Sequence, residues 1–163
     1  MNHFELFGLP AAFAIDAAEL QQRYRKLQQT LHPDRFANAS QRDKLLAVQR
    51  TSQLNDAYQT LRRPLSRAEY MLELRGIDLQ HEQQTLQDPE FLMAQMEWRE
   101  RLEDLNSATD VLSAQSELDD EIKQLQTELE SLLESEDNDA AANVVRKLKF
   151  MHKLDYELDA KDF

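Results

Sequence analysis

Apolar residues recur at alternating spacings of four and three along much of this chain. Leu20, Tyr24, Leu27 and Leu31 do so near the start, and Leu118, Ile122, Leu125, Leu129 and Leu132 toward the end. That spacing gathers side chains on one face of an α-helix, and the longer run is a helix–helix seam. Only two glycines and four prolines interrupt 163 residues, and β-branched runs are rare, which disfavours sheets. An all-α fold is expected.

Punctuation divides the pattern. Phe4, Leu6, Phe7 and Leu9, bounded by Gly8 and Pro10, suit one or two helical turns. Asp16, three residues before Glu19, resembles a capping box. Pro33 stops the first long helix near Leu31 or His32. Ser40 with Asp43 caps the next, whose stripe of Leu54, Ala57, Tyr58 and Leu61 closes at Pro64. Two such helices joined by about ten polar residues pack as an antiparallel hairpin. Leu65, Ala68, Met71 and Leu72 carry a connecting helix to Gly76, a natural C-cap. A module boundary belongs there, giving residues 1–75 and 76–163. Asp88-Pro89-Glu90 opens a further helix, expected to run into the 105–112 region. Another covers roughly 115–134, ended by the polar stretch 135–139. The last carries Val144, Leu148 and Met151 to near Leu158. Three long helices with short connections make an antiparallel bundle.

Charge sets the modules apart. Residues 1–75 carry 11 basic and 8 acidic side chains, against 8 and 23 in residues 76–163. Such asymmetry suggests different partners, although an ordinary solvated acidic surface accounts for the second half equally well. A surface that acidic repels a phosphate backbone, so no nucleic acid is expected. The absence of cysteine excludes disulfides, thiolate zinc sites and a Cys nucleophile. His3, His32, His81 and His152 are scattered, so neither metal nor cofactor is expected. No apolar stretch nears the ~20 residues that span a bilayer, and no leader pattern is visible. A cytoplasmic protein without membrane partners is expected.

His32-Pro33-Asp34 lies at the tip of the hairpin, after a helix bearing Arg23, Arg25 and Lys26. With the Leu20/Tyr24/Leu27/Leu31 stripe turned inward, Gln22, Arg23, Lys26 and Gln29 face solvent. A basic helix face beside a rigid, charged turn suits docking to an acidic protein surface. On the residues alone, His32 and Asp34 also fit a helix end that is merely capped. No motif places a Ser or Cys nucleophile and no Gly-rich loop cradles a phosphate, so an enzyme is not expected.

The tripeptide, with Tyr24 and Leu27 before it and Leu54-Asn55-Asp56-Ala57-Tyr58 and Leu61 after it, resembles the J-domain of DnaJ-type co-chaperones. The resemblance implies a DnaK-type ATPase chaperone as partner. It assigns charge-assisted contacts to Asp34, the turn's shape to His32 and Pro33, and steering to Arg23, Arg25 and Lys26. The Gly/Phe-rich linker and cysteine-rich module of generic DnaJ proteins are absent, which points to a specialised J-protein.

In the helix from Asp88, Phe91, Ala94, Trp98, Leu102 and Leu105 share one core stripe at 100° per residue. Leu92, Met93 and Met96 fall on the far side, with Arg99, Glu100 and Glu103. In the last helix Phe150 lies nearly opposite Leu148, flanked by Arg146, Lys147, Lys149 and Lys153. Adaptable methionines beside orienting charges fit a recognition patch. Packing against the first module, and apolar residues exposed singly, remain open readings.

End to end, the chain is similar to the HscB family of iron–sulfur-cluster J-proteins. The segments that carry this are Phe4-Glu5-Leu6-Phe7-Gly8-Leu9-Pro10, His32-Pro33-Asp34-Arg35-Phe36, Leu61-Arg62-Arg63-Pro64-Leu65, Arg67-Ala68-Glu69-Tyr70, Phe91-Leu92-Met93 and Val145-Arg146-Lys147-Leu148. This resemblance implies stimulation of the chaperone HscA and binding of the cluster scaffold IscU. It places client contacts on the patch read from helical phase, above all on Leu92, Met93, Met96 and Phe150, with Arg99 and Glu100 joining them as the orienting charges of that face. Arg35 stands where many relatives carry Lys, and Met96 where close relatives carry Leu. The alternatives are a J-protein with another client and a helical adaptor without a chaperone.

Overall fold

The computed structural model describes residues 1–79 and 88–161. His81 lies outside the described residues. Seven α-helices and one 3-10 turn account for the regular structure described, with no strand among these residues. They run α1 (His3–Leu6), α2 (Ala17–Leu31), a 3-10 turn (Pro33–Phe36), α3 (Gln41–Arg62), α4 (Pro64–Leu74), α5 (Pro89–Glu103), α6 (Ala108–Glu134) and α7 (Asn138–Asp159). The chain divides into two compact units, Met1–Met71 and Leu72–Phe163, with the division inside α4.

In the first unit α1 and α2 both pack on α3. Asn2 caps α1 by accepting from the Glu5 N–H at 2.8 Å. Phe4, Leu20, Leu54, Ala57 and Leu61 are sealed in the core. Asp16 caps α2 by accepting from the Ala18 and Glu19 N–H groups at 2.9 and 3.2 Å. The expected capping box is only half formed, because the Glu19 carboxylate turns to Arg23 at 2.6 Å. Of the expected α2 stripe, only Leu20 is fully buried; Tyr24, Leu27 and Leu31 are half-buried. Tyr24 compensates by stacking flat on Tyr58, ring centroids 4.0 Å apart, and by donating its hydroxyl to Asn55 Oδ1 at 2.6 Å. Arg67 is buried with its guanidinium 5.0 Å over the Phe13 ring and donates to the Leu61 carbonyl at 2.7 Å. Burial holds its pKa below the ordinary arginine value.

The second unit is built mainly on α6 against α7, with α5 also packed on α7. Asp88 caps α5 through the Phe91 N–H at 3.0 Å, and its other oxygen accepts from Asn143 Nδ2 at 3.2 Å. Two expected boundaries are corrected. The α5 helix stops at Glu103, and α6 starts at Ala108, because Ser107 caps it by accepting from the Asp110 N–H at 3.1 Å. The α6 seam buries Leu118, Ile122 and Leu129 as expected, but leaves Leu125 half-buried and then buries Leu133 rather than Leu132. A straight helix drifts about 20° per heptad from a strict seven-residue repeat, so the buried position slips by one residue. A 6→1 hydrogen bond from the Asp137 N–H to the Leu132 carbonyl, at 3.0 Å, closes α6 with Glu136 at φ 59°.

Candidate functional site

Each unit presents one candidate surface. In the first, α2 ends at His32, whose backbone (φ −57°, ψ 133°) is the extended conformation that a following proline demands. His32 Nδ1 accepts from the Asp34 N–H at 3.2 Å, and the Arg35 N–H donates to the His32 carbonyl at 3.0 Å. These two short-range bonds and the proline fix the turn's shape. The Asp34 side chain is left 93% exposed, its Oδ2 3.5 Å from His32 Nδ1. Thr51 Oγ1 donates to the Ala47 carbonyl in its own helix at 2.8 Å and also lies 3.3 Å from the Leu31 carbonyl, which sets the end of α2 against the middle of α3. Nothing local in the sequence marks this approach, since Leu31 lies twenty residues away.

The basic residues separate by role. Arg25 and Lys26 are exposed, and so is Arg35 in the turn itself. Arg23, expected to face solvent as a steering charge, is instead half-buried and committed. Its guanidinium donates to the Phe7 and Gly8 carbonyls at 2.7 and 3.0 Å and pairs with Glu19. Gly8 sits at φ +66°, and a Cβ there would lie 3.0 Å from Arg23 Nη1. Arginine and glycine together therefore clip the N-terminal segment onto α2.

In the second unit, α5 and α7 bring Met96, Arg99, Glu100, Phe150 and Lys153 around one open groove. Met93 and Met96 are 62% and 71% exposed, while Leu92 is half-buried. Phe150 is also half-buried rather than turned fully outward. It meets Phe91 edge-on at 5.7 Å between ring centroids, and the Arg99 guanidinium lies 5.5 Å over its ring. Arg99 pairs in turn with Glu157. Sequence reasoning missed Glu157, because it lies one helical turn beyond the residues singled out. Met96 and Phe150 give the groove its apolar surface and Gln95, Arg99, Glu100, Glu103 and Lys153 line the rest, an apolar spot bordered by charge that suits protein recognition. Exposed thioethers adapt to a partner's shape.

Among the described residues, no group of three His, Cys, Asp or Glu side chains is placed to hold a metal ion. No described helix is long and apolar enough to cross a membrane. Both surfaces offer non-covalent contacts: a displayed carboxylate with cations beside it, and a groove in which Met96 and Phe150 are bordered by charges.

Comparison with known proteins supplies two matches that together take in most of the chain. Residues 2–70 match the DnaJ domain, and residues 87–159 match the HSCB C-terminal oligomerisation domain. A co-chaperone protein HscB homolog from Pseudoalteromonas atlantica is 56% identical, covering 99% of this chain and 97% of its own. Another from Shewanella amazonensis is 52% identical, covering 98% and 95%. The solved structure of chaperone HscB from Vibrio cholerae superposes with a TM-score of 0.88 at 45% identity, covering 98% of this chain and 96% of that one. The human co-chaperone protein HscB gives 0.91 at 30% identity, covering 98% and 81%.

Proposed function

The chain belongs to the HscB family of J-domain co-chaperones, and on that premise we propose that it stimulates ATP hydrolysis by HscA and brings the iron–sulfur scaffold IscU to it. Family membership makes it a regulatory J-protein that works with a DnaK-type chaperone. The observation that carries the finer reading is the pairing of two displayed surfaces on one chain: Asp34 on a fixed turn, and Met93 with Met96 on a bundle. A cytoplasmic location goes with this reading.

In this mechanism His32 and Pro33 hold the turn, and Asp34 makes charge-assisted hydrogen bonds to the chaperone. Arg25 and Lys26, helped by Arg35, steer the approach. Arg23 contributes by keeping α2 in place. The client seats apolar side chains against Met93, Met96, Leu92 and Phe150, with Arg99 and Glu100 fixing its orientation. Joining both surfaces in one chain raises the client's effective concentration at the chaperone to roughly the millimolar range. ATP hydrolysis, in the chaperone's own active site, then closes the chaperone on a client already in place.

The test is HscA turnover measured with this protein and with IscU, separately and together. The expected outcome is stimulation by this protein alone and a greater-than-additive rise with both. Stimulation that IscU leaves unchanged would mean a J-protein with another client, and no stimulation at all would mean an adaptor.

A further inference from the structure

Leu45, Leu46 and Val48 stand 59%, 37% and 55% exposed in the first half of α3. A helical advance of 100° per residue puts Leu45 opposite Ala47, Leu54 and Leu61, which α3 buries, and Val48 about 100–140° from them. Core packing therefore gives no reason for them to be apolar. Farther along the same outward face, Ser52 and Asp56 are polar and exposed. The apolar strip is confined to the end of α3 nearest the His-Pro-Asp turn. Within residues 41–50 it is accompanied by Arg42, Lys44 and Arg50 against a single acid, Asp43.

The approach of Thr51 Oγ1 to the Leu31 carbonyl, at 3.3 Å, sets the scale. Leu31 is the last residue of α2, so α3 before Thr51 projects past the end of its antiparallel partner, on the side where the turn lies. Val48 and Leu45 are three and six residues from Thr51, about 4.5 and 9 Å along the axis. A protein interface of ordinary size takes roughly 800 Å² from each partner, a patch roughly 30 Å across. A chaperone gripping the turn reaches this strip as well.

We propose that Leu45 and Val48, bordered by Arg42, Lys44 and Arg50, form a second docking point for the DnaK-type chaperone. This rests on the J-domain reading. The strip supplies an apolar anchor that seats among acidic side chains, next to the charge-based contact made by Asp34. The cationic border suits an acidic partner of either kind; continuity with the turn selects the chaperone over the other candidate occupant, the acidic bundle of a second copy.

The experiment titrates the full chain against HscA ATPase at low and high salt. It compares wild type, Asp34→Asn, the double substitution Leu45→Ser with Val48→Ser, and Leu112→Ser, which removes an exposed leucine from the other unit. The double variant is expected to raise the half-maximal concentration about tenfold, keep the maximal turnover, and lose as much at high salt as at low. Apolar burial, unlike charge pairing, is not screened by ions. Leu112→Ser should match wild type. An unchanged half-maximal concentration for the double variant overturns the proposal. So does sedimentation showing that the double substitution abolishes self-association while stimulation stays intact, which assigns the strip to a second copy. If the double variant melts early, Leu45→Gln alone carries the same comparison. Failure of the wild-type chain to stimulate HscA is a separate outcome, which overturns the underlying reading along with this one.

Discussion

The two units solve the problem of display in opposite ways. The first holds a polar group out by fixing backbone: Pro33, the His32–Asp34 hydrogen bond and the Arg35 N–H donating to the His32 carbonyl leave the Asp34 side chain almost wholly open to solvent. The second holds apolar groups out by side-chain choice on a regular helix, where Met93 and Met96 sit opposite a buried Phe91–Trp98–Leu102 stripe. Rigid geometry serves recognition by charge, which is sensitive to direction. A flexible thioether serves recognition by shape. The first kind of site is set apart from the core, so it can be altered without affecting stability. The second shares Phe150 and Arg99 with the packing of the bundle.

Substitutions can break this contrast. Asp34→Asn should have the largest effect, reducing chaperone stimulation roughly a hundredfold, since removing one partner of a hydrogen-bonded charge pair at an interface costs about 2–5 kcal/mol. Its melting temperature and client affinity should match wild type; a fall in melting temperature would mean the turn is structural after all. Met93→Ser with Met96→Ser should weaken client binding about thirtyfold in a direct titration, leaving basal stimulation untouched. Equal impairment in both assays would erase the division of labour.

Smaller effects sharpen the stability side. Asp88→Ala removes the α5 cap and should destabilise the bundle by about 1 kcal/mol in denaturant melts. The Phe91 N–H and Asn143, aided by Lys147, hold the Asp88 carboxylate below its ordinary pKa. Its contribution is therefore present above the usual carboxylate range and lost as pH falls through the depressed value, so wild type and variant should converge in acid. Glu136→Gly should stabilise by about 0.5–1 kcal/mol, because φ 59° is strained for any residue with a Cβ.

Much of the helical framework was legible because caps and stripes are local. Asp16, Ser40 and Asp88 each start the helix expected of them. Ser107 with Asp110 carried the same kind of signal, yet the apolar run through Leu105 suggested continuity and hid it. The remaining departures depend on partners distant in sequence. Arg23 looked like a solvent charge because Phe7 and Gly8 lie sixteen and fifteen residues away. Phe150 looked fully exposed because only the arrival of Phe91 and Arg99 from α5 gives it cover. Helical phase says which way a side chain leaves its own helix; it does not say what another helix brings to meet it.

The clip between Arg23 and the carbonyls of Phe7 and Gly8 gives the start of the chain leverage over a remote activity. Any side chain at position 8 would be strained at φ +66° and its Cβ would crowd the guanidinium, weakening the hold between the N-terminal segment and the helix that carries Arg25 and Lys26. On the proposed mechanism, variation at that glycine would blunt communication with the chaperone while leaving Asp34, Arg25 and Lys26 themselves unchanged.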